Sequence, residues 1–201
     1  MSVRGAVLAG GQASRFDGKP KGLEKVGGER IVDRVVRAVG EVTGARPMLI
    51  ANAPAASGWC PGLRVVPDTL TARGSLGGIY TAVTVDQGPV LVVAWDMPFV
   101  HTELLRALIS GAKDYDVFLP ESGGKRGLEP LCGVYGPGCA AAIRQQLDQE
   151  DYRAIGFHDA VRVGTLALAE VSSYGDPEML FYNVNTAQEL AEAEAMWQRR
   201  G

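Results

Sequence analysis

Short apolar runs alternate along the chain with longer stretches in which apolar residues recur every three or four positions. The short runs predict strands and the longer stretches predict amphipathic helices. Strands are predicted at residues 4–9, 48–51, 63–66, 89–94, 117–119, 131–135 and 161–168, and helices at 31–42, 75–85, 102–112, 139–147 and from 186 to 198. This alternation predicts an α/β fold, a three-layer α/β/α sandwich around a mainly parallel sheet.

Local signals refine this outline. The run at 89–94 is apolar at every position that would face either side of a sheet, which is typical of a central parallel strand. Ser75 is a plausible N-cap for one helix, and Thr186 with Glu189 has the spacing of a capping box for the last. Because no repeat, low-complexity tract or linker interrupts the pattern, we expect a single domain over residues 1–201.

The first predicted strand leads directly into two glycines, Gly10 and Gly11. Three cations, Arg15, Lys19 and Lys21, follow within the next ten residues. Glycines after a strand let the backbone approach a ligand closely, and exposed N–H groups beside cations form an anion site. We therefore predict a triphosphate site here. A tight turn with solvated charges is the alternative.

Polar side chains follow three further strands at the points where those strands end. Asn52, Asp68 and Asp96 come after the runs at 48–51, 63–66 and 89–94. Carboxyl ends of parallel strands share one sheet edge, which is where ligands bind in such folds. Asp96 is the strongest candidate for Mg²⁺, because a carboxylate at the end of a buried strand needs a partner. The alternatives are an N-cap role for Asp96 and a turn-forming role for Asp68.

Two glycine-rich segments also carry candidate chemistry. Gly77 and Gly78 lie at the start of a predicted helix, whose N-terminus could hold a base edge or an anion. Equally, these glycines could let the helix pack closely on the sheet. Lys125 and Arg126 form a basic loop that suits an acidic second substrate, unless it is a solvated hairpin.

The composition excludes several classes of protein. A net charge of −3 argues against nucleic-acid binding, and the uncharged apolar run at 88–95 is too short to span a membrane. Three cysteines without a CxxC pair indicate free thiols in a reducing cytoplasm, and no room for a signal peptide precedes the first strand. P-loop and GxGxxG motifs are absent, and His101 and His158 have no partner at metal-ligand spacing.

Several motifs occur together in a characteristic order. They are Leu8-Ala9-Gly10-Gly11, Arg15, Lys21-Gly22-Leu23, Gly74-x-Leu76-x-Gly78, Asp96-Met97-Pro98-Phe99 and Asn183-Val184-Asn185-Thr186. In this combination the sequence resembles the molybdenum cofactor guanylyltransferases (the MobA family), which belong to the nucleotidyltransferase superfamily with a Rossmann-like fold. The resemblance extends from near the N-terminus to about residue 190.

The resemblance implies transfer of GMP from GTP to the phosphate of molybdopterin, with release of pyrophosphate and dependence on Mg²⁺. It places the GTP contacts on Leu8, Ala9, Gly10, Lys21, Asn52, Asp68 and Asp96, with Asp96 also holding Mg²⁺. To these the glycine turn adds Gly11 as a backbone donor. We predict Lys21, Arg15 and Asp96 as the catalytic residues.

Three alternatives remain open from the sequence. A related enzyme would use CTP, or would act on a different phosphorylated small molecule. A non-catalytic carrier would hold nucleotide or mature cofactor for delivery to molybdoenzyme apo-proteins or their chaperones. Fold alone does not decide between these functions.

Overall fold

A computed structural model of the chain describes residues 2–10, 20–124 and 127–200. The strands are β1 Arg4–Leu8, β2 Lys25–Val26, β3 Glu29–Arg30, β4 Met48–Ile50, β5 Val65–Val66, β6 Val90–Ala94, β7 Val117–Pro120, β8 Cys132–Tyr135 and β9 Val163–Leu166. The α-helices are α1 Ile31–Thr43, α2 Gly74–Thr84, α3 Thr102–Gly111, α4 Ala140–Asp148, α5 Leu168–Val171, α6 Pro177–Leu180 and α7 Ala187–Gln198. None of the helices in these ranges has the length and apolar character needed to cross a bilayer.

Seven strands form one sheet in the order β5-β4-β1-β6-β8-β7-β9. β1 pairs in parallel with β4 and β6, β4 with β5, and β7 with β9. β8 runs antiparallel to both of its neighbours, and the residues described between β7 and β8 form no crossover helix of the kind a parallel pair needs. The mainly parallel α/β fold is therefore confirmed. The small antiparallel hairpin β2–β3 lies outside the main sheet.

Helices cover both faces of the sheet. Every residue of β6 is buried, as the uniformly apolar run predicts. Val93 belongs to a core cluster with Val35 of α1, whereas its neighbour Val92 belongs to a second cluster with Ile79 of α2. The alternation of β6 side chains between two cores is what a strand buried on both faces produces. The result is the expected three-layer arrangement.

The start of α2 differs from the prediction. The helix begins at Gly74, with Arg73 as the N-cap residue, and Ser75 already lies inside the first turn. The prediction of Ser75 as N-cap is therefore wrong. The chain enters this helix through two residues with positive φ, Ala72 and Gly74, both at 60°. A left-handed turn thus takes the place of the extended N-cap residue that a serine usually provides.

The start of α7 follows the predicted capping box at Thr186, with one change. The Thr186 hydroxyl accepts a hydrogen bond from the Glu189 N–H at 3.1 Å. The Glu189 carboxylate accepts from the N–H of Asn185 at 2.7 Å, one residue before the N-cap. Glu189 thus ties the helix to the segment that precedes it.

Substituting Thr186 tests the contribution of this cap. We expect Thr186→Ala to lower the free energy of unfolding by about 1 kcal/mol, because the Glu189 N–H loses its acceptor. Thr186→Ser keeps a hydroxyl and should stay close to the wild type. Urea denaturation of the three proteins measures the difference, and equal losses in both variants would contradict the capping role.

Candidate active site

The carboxyl ends of β1 and β6 lie side by side, with Leu8 paired to Ala94. The Trp95 N–H donates to the Leu8 carbonyl at 3.1 Å, and the Ala9 N–H donates to Ile50 at 2.9 Å. Leu8 and Ala9 are buried, and these main-chain groups are already paired within the sheet.

Gly10 stands at the rim of this edge. At Gly10, no atom of the described residues lies within 4 Å of the position that a Cβ would take. Packing within that part of the protein therefore does not demand a glycine here. A glycine at this position leaves out the Cβ that would limit close approach of a ligand to the backbone.

A lysine and an aspartate form an ion pair at the same edge. The Lys21 Nζ lies 2.5 Å from Asp96 Oδ2, and the side chains are 19% and 8% exposed. The same Nζ donates to the Asn185 Oδ1 at 2.6 Å. Buried charges are stable only when they are paired and hydrogen-bonded, so each of these groups depends on the others.

Asn185 reaches this pair from the far end of the chain. The Val184 N–H donates to the Asp96 carbonyl at 2.9 Å, which ties the segment before α7 to the end of β6. The side-chain Nδ2 of Asn185 also donates to the main-chain carbonyl of Asn183 at 3.3 Å. These bonds orient the side-chain Oδ1 of Asn185 toward Lys21.

A second polar pair lies at the ends of the neighbouring strands β4 and β5. Asn52 donates through Nδ2 to Asp68 Oδ2 at 2.7 Å, and its Oδ1 accepts from the Asp68 N–H, also at 2.7 Å. Burial raises the pKa of the Asp68 carboxyl, while the hydrogen bond from Asn52 opposes that shift. The pair leaves the Asp68 side chain fixed in orientation and partly withdrawn from water.

The first turn of α2 packs between this pair and β1. A Cβ at Gly78 would lie 3.4 Å from Leu8 Cδ2 and 3.7 Å from Asp68 Oδ1. A Cβ at Gly77 would lie 2.8 Å from Arg73 Cβ. Close packing therefore accounts for Gly77, whereas a Cβ at Gly78 would make only ordinary van der Waals contacts. Whether this helix start also binds a base edge stays a prediction.

The structure therefore brings the predicted residues into two neighbouring groups. Lys21 and Asp96 lie on one side of the β1 end, and Asn52 and Asp68 on the other, since the strands follow the order β5-β4-β1-β6. The predicted Gly11, Arg15 and Lys19 lie outside the described residues, as do Lys125 and Arg126 of the basic loop. The roles assigned to all these residues stay predictions.

Sequence reasoning placed Asn185 only within the segment from Asn183 to Thr186, expected near the acceptor, and did not foresee its contact with Lys21. The rule that places residues at the ends of parallel strands does not apply to it, because it precedes a helix outside the sheet. The available signal was the pair of asparagines, Asn183 and Asn185, directly before the capping threonine.

The donor groups at this edge suit a hard cation that arrives with its own ligands. Within the described ranges, no group of three or more His, Cys, Asp or Glu residues could hold a metal alone. Asp96 offers one carboxylate, and Asn185 offers an amide oxygen near the same ammonium group. Mg²⁺ commonly uses one or two carboxylates together with substrate phosphates, which this set fits.

The cysteines and histidines lie apart from this chemistry. Cys60, Cys132 and Cys139 are free and buried, as predicted, and burial raises the pKa of Cys139 to about 12. Burial also lowers the pKa of His158. Thiols held protonated in this way are poor nucleophiles.

Comparisons with known proteins agree with this geometry. Residues 5–163 match the family described as the MobA-like NTP transferase domain. The probable molybdenum cofactor guanylyltransferase of Pelotomaculum thermopropionicum is 36% identical, with 98% of this chain and 94% of that protein covered. The molybdenum cofactor guanylyltransferase of Desulfosudis oleivorans is 33% identical, with coverages of 96% and 95%.

The fold is also similar to that of solved structures. The crystal structure of molybdopterin-guanine dinucleotide biosynthesis protein A from Archaeoglobus fulgidus superposes with a TM-score of 0.81 at 22% identity. The match covers 98% of this chain and all of that one.

The raised pKa of Asp68 predicts a pH dependence of stability. Because the folded state binds this proton more tightly than the unfolded state, stability falls as pH rises between the unfolded and folded pKa values. Asp68→Asn removes this loss. We therefore expect the unfolding free energy of the variant, relative to the wild type, to increase from acidic pH toward neutrality in urea titrations.

Asp116 provides a control of opposite sign. Hydrogen bonds from Arg162 lower the pKa of Asp116, so that its contribution is present above the ordinary carboxyl pKa and lost as pH falls. Asp116→Asn should accordingly lose stability relative to the wild type as pH rises. Parallel pH profiles for the two variants would contradict the assignment for Asp68.

Proposed function

Because the chain belongs to the MobA-like NTP transferase family, we propose that it transfers GMP from GTP to the terminal phosphate of molybdopterin and releases pyrophosphate. It is a nucleotidyltransferase, and relatives of nearly equal length are named molybdenum cofactor guanylyltransferases. The proposal adds to this enzyme class the identity of the two substrates, the nucleotide GTP and the acceptor molybdopterin.

The observation that carries the proposal is the ion pair of Lys21 and Asp96 at the end of β6. An ammonium group and a carboxylate side by side supply the two charges that a metal-bound triphosphate requires. Asp96 follows the end of β6, which pairs with the end of β1 that leads to Gly10. Main-chain donors for the phosphates begin at Gly10, because the Ala9 N–H is already bonded within the sheet.

The proposed reaction is a direct in-line displacement. A phosphate oxygen of the acceptor attacks the α-phosphorus of GTP, the bond between the α-phosphorus and its bridging oxygen breaks, and the electron pair leaves with pyrophosphate. The acceptor oxygen is already anionic, so the protein mainly positions the groups and stabilises charge. In this scheme Lys21, with Arg15 from the sequence, binds the phosphates that leave.

Asp96 would hold Mg²⁺ in this scheme. When bound there, the metal supplies neutralisation of phosphate charge and orientation of the phosphates. Lys21 would then exchange this carboxylate for the phosphates, because its ammonium group contacts the same oxygen atoms that would hold the metal. The Asn185 Oδ1 accepts from the same ammonium group and would remain its partner after that exchange.

The second polar pair is proposed to recognise the nucleoside. Asn52 fixes the Asp68 carboxylate, and a fixed carboxylate accepts hydrogen bonds from sugar hydroxyls or from a guanine edge. The segment from Asn183 to Thr186 and the basic loop with Lys125 are proposed to meet the pterin. Free cysteine thiols support a cytoplasmic location, where molybdoenzyme apo-proteins or their chaperones would receive the product.

Removal of either charge should abolish most of the activity. We expect Asp96→Ala and Lys21→Ala each to lower turnover by about 10²–10³, the usual cost of one electrostatic contact in a transition state. Circular dichroism should show that the fold is kept. Asp148→Ala, which removes an exposed carboxylate from α4, is the control and should leave the rate unchanged. Near-wild-type turnover in Asp96→Ala would remove the metal assignment.

A nucleotide panel tests the reaction itself. With Mg²⁺ and molybdopterin, we expect pyrophosphate release from GTP and little from CTP, ATP or UTP. Calorimetry should show GTP binding strengthened by Mg²⁺ and much weaker CTP binding. Equal affinity for GTP and CTP would contradict the guanine assignment, and GTP binding without pyrophosphate release would favour the carrier.

A further inference from the structure

Two adjacent residues before the β2–β3 hairpin lie directly against two adjacent residues after β6. Lys21 pairs with Asp96, and its neighbour Gly22 lies on the ring of Trp95. A Cβ at Gly22 would be 2.4 Å from Trp95 Cδ2 and Cε3, closer than real Cβ contacts come. The contact of Gly22 with the indole therefore sets where the Lys21 side chain begins relative to the carboxylate.

Trp95 is a fixed support for this contact. It is 4% exposed, and its ring stacks on that of Trp59 with centroids 4.9 Å apart and an interplanar angle of 27°. Its main-chain N–H is bonded to Leu8 in the sheet. Within the described part of the protein its indole Nε1 has no hydrogen-bond partner. Packing, rather than a polar bond from the side chain, therefore holds the ring.

The segment 21–27, which begins with Lys21 and Gly22, is anchored at its other end in a similar way. A Cβ at Gly27 would lie 2.2 Å from Trp197 Nε1, and the Gly27 N–H donates to Glu194 at 2.7 Å. The Arg34 guanidinium lies 3.9 Å over the Trp197 ring and donates to the Val26 carbonyl. Because α7 holds the hairpin, the Lys21 segment cannot swing away as a unit when Gly22 is disturbed.

We propose that Gly22 and Trp95 are positioning residues for Lys21. The flat indole and the missing side chain of Gly22 together bring the Lys21 ammonium group against Asp96, in the orientation from which it binds phosphates. This inference rests on the proposed function, since it acts through Lys21. It extends that function by making the placement of Lys21 depend on the contact between Gly22 and the Trp95 indole.

Gly22→Ala tests the contact directly. The added methyl group meets the indole, and a displacement of Lys21 by about 1 Å is expected to lower kcat/KM by about 10²-fold. Gly58→Ala is the matched control, because no atom of the described residues lies within 4 Å of the added group and its φ is not positive. An unchanged kcat/KM in Gly22→Ala would overturn the proposal.

A double-mutant cycle separates positioning from general damage. If Gly22 acts through Lys21, Gly22→Ala should cause little further loss once Lys21→Ala has removed the ammonium group. Structural damage would instead lower the activity by the same factor in both backgrounds, which would overturn the proposal. Trp95→Leu combined with Gly22→Ala makes room for the methyl group and should recover part of the rate. If the Gly22→Ala protein does not fold, Trp95→Leu takes its place in the double-mutant cycle with Lys21→Ala, because it removes the indole side of the same contact.

A measurement without turnover keeps this proposal distinct from the reaction. Reductive methylation with ¹³C labels the lysines, and Lys21→Arg identifies the Lys21 signal by its loss. In the otherwise wild-type protein, Asp96→Asn should shift that signal, because the two groups touch. In Gly22→Ala protein the same substitution should shift it much less, and an equal shift would overturn the positioning role. If no nucleotide yields pyrophosphate, the proposed function fails while this result stands.

Discussion

The ion pair of the half-buried Lys21 with the buried Asp96 is the interaction on which the rest of the site depends. A carboxylate at the end of β6 would be costly without a compensating charge, and the ammonium group would be equally costly without the carboxylate. Their partners come from three distant parts of the chain: the turn before the hairpin, the end of a central strand and the segment before α7. The Val184 bond to the Asp96 carbonyl and the contact of Gly22 with Trp95 bring the other two parts to the end of β6.

The two ends of the chain meet at this edge. The segment before α7 bonds to the end of β6 through Val184, and α7 itself holds the hairpin through Trp197 and Glu194. The helix start that Thr186 caps is therefore also the support of the Asn185 side chain. Stability of the C-terminal helix and geometry of the site are two consequences of the same contacts.

Much of the fold could be predicted because apolar runs in buried parallel strands are nearly continuous. Because the carboxyl ends of parallel strands share one edge of a sheet, Asn52, Asp68 and Asp96 could be placed at that edge before any contact was known. The hairpin at residues 25–30 was missed because strands of two residues are too short to show an alternation of apolar and polar positions. The start of α2 was misplaced because the chain enters the helix through Ala72 and Gly74, whose positive φ the sequence pattern does not reveal. Contacts such as Gly22 with Trp95 join residues far apart in sequence, and no local pattern encodes them.

The stacked indoles of Trp59 and Trp95 also have an optical consequence. The chain contains three tryptophans, and two of them form this stack beside Asp96, while Trp197 lies at the hairpin. Intrinsic emission from the stacked rings therefore originates next to Asp96, because Trp95 directly precedes that residue and Trp59 stacks on Trp95. The molecule therefore carries a native fluorophore pair next to the ion pair of Lys21 with Asp96, without any attached dye.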